Sequence, residues 1–319
     1  MKKSISTTAV AAVAAGAAVS VGTNGALADQ MPGVEPDWFL RLEGGVLFAD
    51  PAIDKTGGMM GPGSGISIDF NDFDTDFGYR GAAAFGRKFD DNLDWRLGVA
   101  YSNFVKNHAS LLVTGIPSGS GSGSGSGSFA GDGSADFSYL TGDLELGYNV
   151  RPGDDFDLRV FGGLRILSSK DSQDKFGDVD LGGSGVGSIE LNTRSEFLGA
   201  GPRAGVDFSS RIGDGNFGFS GMLATALIFG DVKTRIEYNS SGGSGSGSSG
   251  SETFHDNETI FNLEAAFGAD FHLSENSVLT LGYRGEYWND IRFADKVGES
   301  SSTPDMLSHG PFLRFTTDF

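Results

Sequence analysis

The chain has 319 residues, a formal net charge of −19 at pH 7, 51 glycines, 26 phenylalanines and no cysteine. The missing thiols exclude a disulfide framework and a thiolate metal site, and the acidic balance disfavours nucleic acid and anionic lipid as partners. Glycine at this level can mark disorder, but here much of it lies in regularly spaced, aromatic-rich segments, which disordered chains lack.

Lys2 and Lys3 are followed by the apolar run from Thr8 to Gly22 and then by Ala26, Leu27 and Ala28. A charged start, an apolar middle and a small-x-small site are the parts of a secretory signal peptide, so residues 1–28 are predicted to be removed on export and residues 29–319 to form one β domain. The run is too short and too alanine-rich to supply the ~20 apolar residues of a spanning helix.

Ten segments then alternate apolar and polar residues: 38–49, 77–88, 93–106, 136–150, 156–169, 196–210, 216–231, 259–272, 277–290 and 309–319. In the ninth, Leu279, Leu281, Tyr283 and Tyr287 share one face, and Thr280, Arg284 and Glu286 share the other. In the eighth, Phe261, Leu263, Phe267 and Phe271 oppose Asn262, Glu264 and Asp270. Successive side chains of a strand point to opposite faces, so each strand has one apolar and one charged side. A soluble sandwich would put the apolar side inward, yet charges at mid-strand on the inner face suit a water-facing lumen better than a soluble core. Trp38, Phe48, Trp95, Tyr101, Tyr148 and Tyr287 flank the apolar face, as aromatics do at membrane interfaces.

Connections alternate in length. Short, polar turns at 90–92, 151–155, 211–215 and 274–276 alternate with long connections at 50–76, 107–135, 170–195, 232–258 and 291–308. This predicts an all-β, transmembrane, antiparallel up-and-down barrel of about ten strands, with periplasmic turns and external loops. Ser118–Ser128 and Ser240–Ser251 are low-complexity Gly/Ser stretches of linker type that carry no chemistry. Pro202 and Pro311 fall within strands and are expected to mark local irregularities.

Arg41, Arg80, Arg96, Arg159, Arg165, Arg203, Arg284 and Arg314 fall on the polar parity of their strands, as do Glu43, Asp143, Glu145, Glu264 and Glu286. An arginine facing lipid at mid-membrane costs ~2–4 kcal/mol, so this face must be the lumen. Two readings follow: a packed salt-bridge network that seals and stiffens the barrel, or a charged pore lining. Eight strands just fill with side chains and 16–18 leave an aqueous channel, so ten allow at most a narrow pore. Asp72, Asp74 and Asp76 continue the face of Arg80 and form a predicted acidic outer mouth that attracts cations. Their spacing fails a calcium-loop pattern, and no metal or cofactor is expected.

Enzymatic readings find little support. Ten-stranded barrels include omptin-type surface proteases with a His–Asp pair at the outer rim, but His255 and Asp256 are adjacent and would point to opposite faces. The stretch Gly199 to Gly205 precedes strand-like Val206 to Phe208 rather than a helix, so it is no nucleotide loop. The chain ends on Phe312 to Phe319, with Leu313, Phe315, Thr317 and Phe319 on one face. A closing strand ending in phenylalanine resembles the signal that barrel-assembly machinery reads.

Residues 42–50, 157–165, 196–207 and 308–314, with their Gly/aromatic patterns, resemble the Legionella-type major outer-membrane protein family. That resemblance implies a pore-forming barrel of the outer membrane, among outer-membrane lipids and lipopolysaccharide, passing small solutes or ions. It transfers no catalytic residue. A non-conducting structural barrel or surface adhesin is the alternative.

Overall fold

The computed structural model describes residues 38–51, 67–71, 76–89, 92–117, 126–153, 156–180, 186–213, 215–241, 247–289, 291 and 305–319. The predicted signal peptide, residues 1–28, lies outside the described residues, as do Asp72 and Asp74. The elements are β1 (Trp38–Pro51), β2 (Ser67–Asn71), β3 (Asp76–Lys88), β4 (Leu93–Pro117), β5 (Ser126–Gly153), β6 (Phe156–Asp180), β7 (Val186–Arg211), β8 (Phe217–Ser241), β9 (Gly247–Ser274), β10 (Ser277–Trp288) and β11 (Met306–Asp318).

All pairings are antiparallel. The ladder runs β1–β3–β4–β5–β6–β7–β8–β9–β10–β11 and returns to β1, where Glu43 lies opposite Arg314, so ten strands close into a barrel without a free edge. The short β2 pairs with the outer part of β4, from Ser67 opposite Thr114 to Asn71 opposite Ser110, on the same side as β3. It extends the line of β3 rather than adding a wall position. Short connections and both ends of the barrel gather at one rim: Phe319 accepts from the Trp38 amide at 3.2 Å and donates back at 2.9 Å. Gly213 in the β7–β8 turn has φ +57°, the left-handed region that glycine adopts without a Cβ clash.

Parity sorts the side chains as the sequence predicts. Leu144, Leu146, Leu164, Ile166, Leu223, Phe267 and Leu281 face outward and are exposed, Leu144 at 50% and Leu281 at 58%. So continuous an apolar exterior is not a soluble surface; it is the lipid-facing band of a membrane barrel. At the short-turn rim, Trp38 stacks on Phe85 with ring centroids 4.9 Å apart and meets Trp95 edge-on at 6.1 Å. At the other border, Phe48 meets Phe77 at 6.1 Å and Tyr79 meets Tyr101 at 6.3 Å. These are the two aromatic girdles.

Strand length departs from the sequence reading. β4 to β9 run for 25 to 28 residues, whereas β1, β3, β10 and β11 run for 12 to 14. About 9–11 residues suffice to cross the bilayer, so β4 to β9 rise beyond the apolar band as a tall wall on one side. In the outer halves many buried inward positions are polar, as at Gln173, Thr193, Ser195 and Thr234, so no apolar face marks them, but backbone hydrogen bonds continue the ladder without one. The Gly/Ser stretches are partly strand: residues 126–128, 240–241 and 247–251 belong to β5, β8 and β9. Both prolines interrupt a ladder. The β7–β8 register skips Gly201 and Pro202, and the β1–β11 register skips Gly310 and Pro311. A proline has no N–H to give.

The charged interior as candidate functional site

The eight arginines and the five carboxylates Glu43, Asp143, Glu145, Glu264 and Glu286 that parity assigns to the bore point there, because the strands pair in register and each row of inward positions meets its neighbours. The row Arg159, Asp207 and Asn149, for example, is set by Arg159 opposite Asp207 on one side and Asn149 on the other. These groups form one connected network. Nearest the short-turn rim, Arg159 donates to Asp94 at 2.7 Å and to Asp207 at 2.9 Å. Gly147, the inward residue next to it, leaves the guanidinium its space: a Cβ there would lie 2.2 Å from Arg159 Nε. Arg96 continues the chain, 3.2 Å from Asp207 and 2.6 Å from Glu145.

At mid-height, Arg203 joins Glu145 at 3.1 Å to Glu264 at 3.2 Å. Arg165 donates to both oxygens of Asp143, at 2.7 and 2.6 Å, and also pairs with Glu264. On the opposite wall, Glu43 accepts from Arg314 at 2.7 Å and Arg284 at 3.0 Å. Above it, Glu286 is 3.1 Å from Arg80, 3.4 Å from Arg284 and accepts the Tyr139 hydroxyl at 2.6 Å. Aromatic faces add to the cation binding. Phe161 lies under the guanidinium carbons of Arg159, Arg96 and Arg203 at 5.0, 5.4 and 5.6 Å, within cation–π range. The charges are deeply buried, with Arg165 1% and Glu264 2% exposed. Burial of this kind is tolerable only because nearly every charge is matched.

Arg41 faces the same interior, and its Nε, like those of Arg80 and Arg284, has no acceptor among the described residues. It borders a cavity of about 80 Å³, together with Glu43, Arg80, Arg96, Glu145, Arg203 and Arg314.

Above the charged belt, away from the short-turn rim, the interior becomes apolar. Leu47, Phe104, Phe137, Tyr139, Leu167, Phe197, Ile228, Val232, Ile260, Trp288, Ile291 and Met306 form one buried cluster. Trp288, Ile228, Ile260 and Leu167 are all at 0% exposure. This plug crosses the bore from β4 to β10, and Tyr139 binds the two zones together: its ring lies 5.2 Å from that of Trp288 and its hydroxyl reaches Glu286.

Sequence reading placed all thirteen interior charges on the inner face but missed Asp94 and Asp207, which share the parity of Arg96 and Arg203 and complete the lower network. It also missed the plug. The signal was there: in Ala226-Leu227-Ile228-Phe229 and Ile166-Leu167 apolar residues occupy both parities. Of the predicted acidic mouth, only Asp76 is described, at the start of β3 opposite Ala49. The three histidines whose side chains are described do not converge. His309 Nδ1 lies 2.6 Å from the Tyr283 hydroxyl on the outer face, His272 contacts Arg211 at 3.0 Å by the short-turn rim, and His255 is exposed opposite Lys233 on the tall wall.

Comparison with known proteins fits this geometry. Residues 32–319 match a family described as Legionella pneumophila major outer membrane protein precursor. No curated protein matches. Among solved structures, the outer membrane protease OmpT from Escherichia coli is similar at TM-score 0.51 and 11% identity, covering 91% of this chain and 99% of that one. Neisserial surface protein A covers 88% of this chain and 97% of its own at 11% identity, with TM-score 0.28. Outer membrane protein OprG from Pseudomonas aeruginosa also covers 88% and 97%, at 15% identity and TM-score 0.29. At such identities the OmpT likeness carries the barrel fold and nothing of that enzyme's activity.

Proposed function

This chain belongs to the Legionella pneumophila major outer membrane protein family, and on that premise we propose that it is a porin-like barrel whose charged interior is a narrow, normally closed path for small ions. One observation carries the reading: the ionised side chains form an unbroken column along the bore, from Asp94 and Arg159 to Glu286 and Arg80. Stability alone does not call for such a column, since well-packed apolar residues often replace buried ion pairs at no cost or with a gain. A column of exchangeable pairs does supply what a small ion needs, a series of partners of either sign. The apolar plug above it is the closure, of the kind that gates by excluding water. The reading gives the barrel no catalytic role, in keeping with His255, His272 and His309, which are separately engaged or exposed.

The plug also favours a second reading, a barrel sealed throughout and serving as a structural or adhesive element, with the tall wall of β4 to β9 as its external surface. Planar-bilayer recording of the refolded chain separates the two. The porin-like reading expects brief, discrete openings of small conductance in the wild type and longer or larger ones in Trp288→Ala. Silence in both proteins, with folding verified, would establish the sealed barrel instead. The cation preference expected from Asp72, Asp74 and Asp76 is read in the same recording, as a reversal potential displaced toward the cation's under a salt gradient.

A further inference from the structure

We propose that the cavity beside Arg41 is a binding site for a small inorganic anion of about halide size. Its charged lining is unbalanced: seven arginines against four carboxylates. Beyond the lining, Arg159 adds one cation and Asp94, Asp207 and Glu286 add three anions, Asp207 shared with the lining Arg96 and Glu286 with the lining Arg80 and Arg284, so the network keeps eight arginines against seven carboxylates and one positive charge is unmatched. The four carboxylates that do line it are already engaged. Glu43 is held by Arg284 and Arg314, Glu145 by Arg96 and Arg203, and Asp143 and Glu264 by Arg165. Glu43 Oε1 receives no hydrogen bond, yet Arg41 Nε in the same lining still has no acceptor among the described residues.

A second observation points the same way. The Nε groups of Arg41, Arg80 and Arg284 are buried and without a hydrogen-bond acceptor among the described residues, and all three side chains border this one cavity. A buried donor left without a partner is costly, and more so when it is charged. One anion in the cavity supplies acceptor capacity and negative charge together. The size of the space sets the class of ligand. About 10–15 Å³ of such space is enough for one water, so about 80 Å³ admits a small anion together with several waters. The space exists because the facing wall is made of small residues, Ala82, Ala84, Gly98 and Ala100 on β3 and β4.

Anomalous diffraction at the bromine edge, from crystals of the full chain grown in sodium bromide, tests the site without reference to conductance. A bromide peak is expected in the cavity within hydrogen-bonding reach of the Arg41 guanidinium, and it is expected to vanish in R41Q. Ala100→Leu, which fills the cavity from the small-residue wall and keeps all the arginines, is expected to remove it too. In solution, the thermal midpoint of the refolded barrel is expected to be higher in sodium bromide than in sodium gluconate of equal strength, with the difference lost in A100L. Should R41Q fail to fold, A100L carries the comparison. An empty cavity in wild-type crystals, or a peak that survives in A100L, overturns the proposal. Neither result bears on whether the barrel conducts, so failure of the anion site and failure of the porin-like reading are distinguishable.

Discussion

The interior of this barrel is closed in two ways. The belt between the short-turn rim and mid-height is filled by ion pairs, whereas the plug above it is filled by rings and aliphatic side chains. The two zones share the same strands and the same inward parity, so backbone geometry does not distinguish them; side-chain chemistry alone does. The belt is held by directional pairs in which one group serves several partners, as Glu264 does Arg165, Arg203 and Arg284. The plug is held by packing and by the exclusion of water, which has no partial state. A charge-deleting substitution should therefore act on stability through the partners it strands, and a volume-deleting one should act on the passage of water.

The largest effect is expected at the belt. Glu264 is the shared partner of Arg165, Arg203 and Arg284, and Glu264→Gln is expected to cost about 3–5 kcal/mol by leaving buried guanidiniums uncompensated. Urea unfolding of the refolded barrel in lipid vesicles measures it. Next is Trp288→Ala, which removes the largest fully buried side chain of the plug. The cost is about 3 kcal/mol in the same assay, at the low end for such truncations because the new void opens toward water, and bilayer recording should show longer openings. A loss of stability with no change in conductance would sever the plug from gating. Leu144→Arg, on the outer face at mid-band, is expected to cost about 2–3 kcal/mol by placing a charge in the acyl region. An unchanged midpoint would contradict the outward parity of β5. Lys170→Ala is the control. Its pair with Glu196 is 3.9 Å long and solvent-exposed, and no measurable change is expected.

How much of this was legible in the sequence follows from the same contrast. Strand count, parity and the inner charges were readable because lipid outside and charge inside impose a period of two that few other environments produce. Arg284 and Leu281 could be sorted by counting alone. The outer halves of β4 to β9 were not readable, since their buried inward positions are largely polar, as at Gln173, Thr193, Ser195 and Thr234, and leave no apolar face to mark the period, while the start of β9 is Ser/Gly-rich. The plug was hidden for a different reason. Its inward Ile228 and Ile260 stand beside outward Leu227 and Phe261, so the alternation gives way to a plain apolar run, which periodicity cannot assign to a face. Pairing within the belt also lay beyond the sequence, because the partner of Arg203 is fixed by registers across several strands.

The three tryptophans offer the most direct test, because they sample the zones at issue: Trp38 and Trp95 in the girdle at the short-turn rim, Trp288 in the plug. In variants that keep one tryptophan and replace the others by phenylalanine, fluorescence is measured against brominated acyl chains and against aqueous iodide. The Trp95 protein should be quenched by the brominated lipid, and the Trp288 protein by neither quencher while folded. Iodide quenching of Trp288 would mean an open, wet bore, and quenching of Trp288 by brominated chains would mean that the inward and outward faces have been assigned the wrong way round.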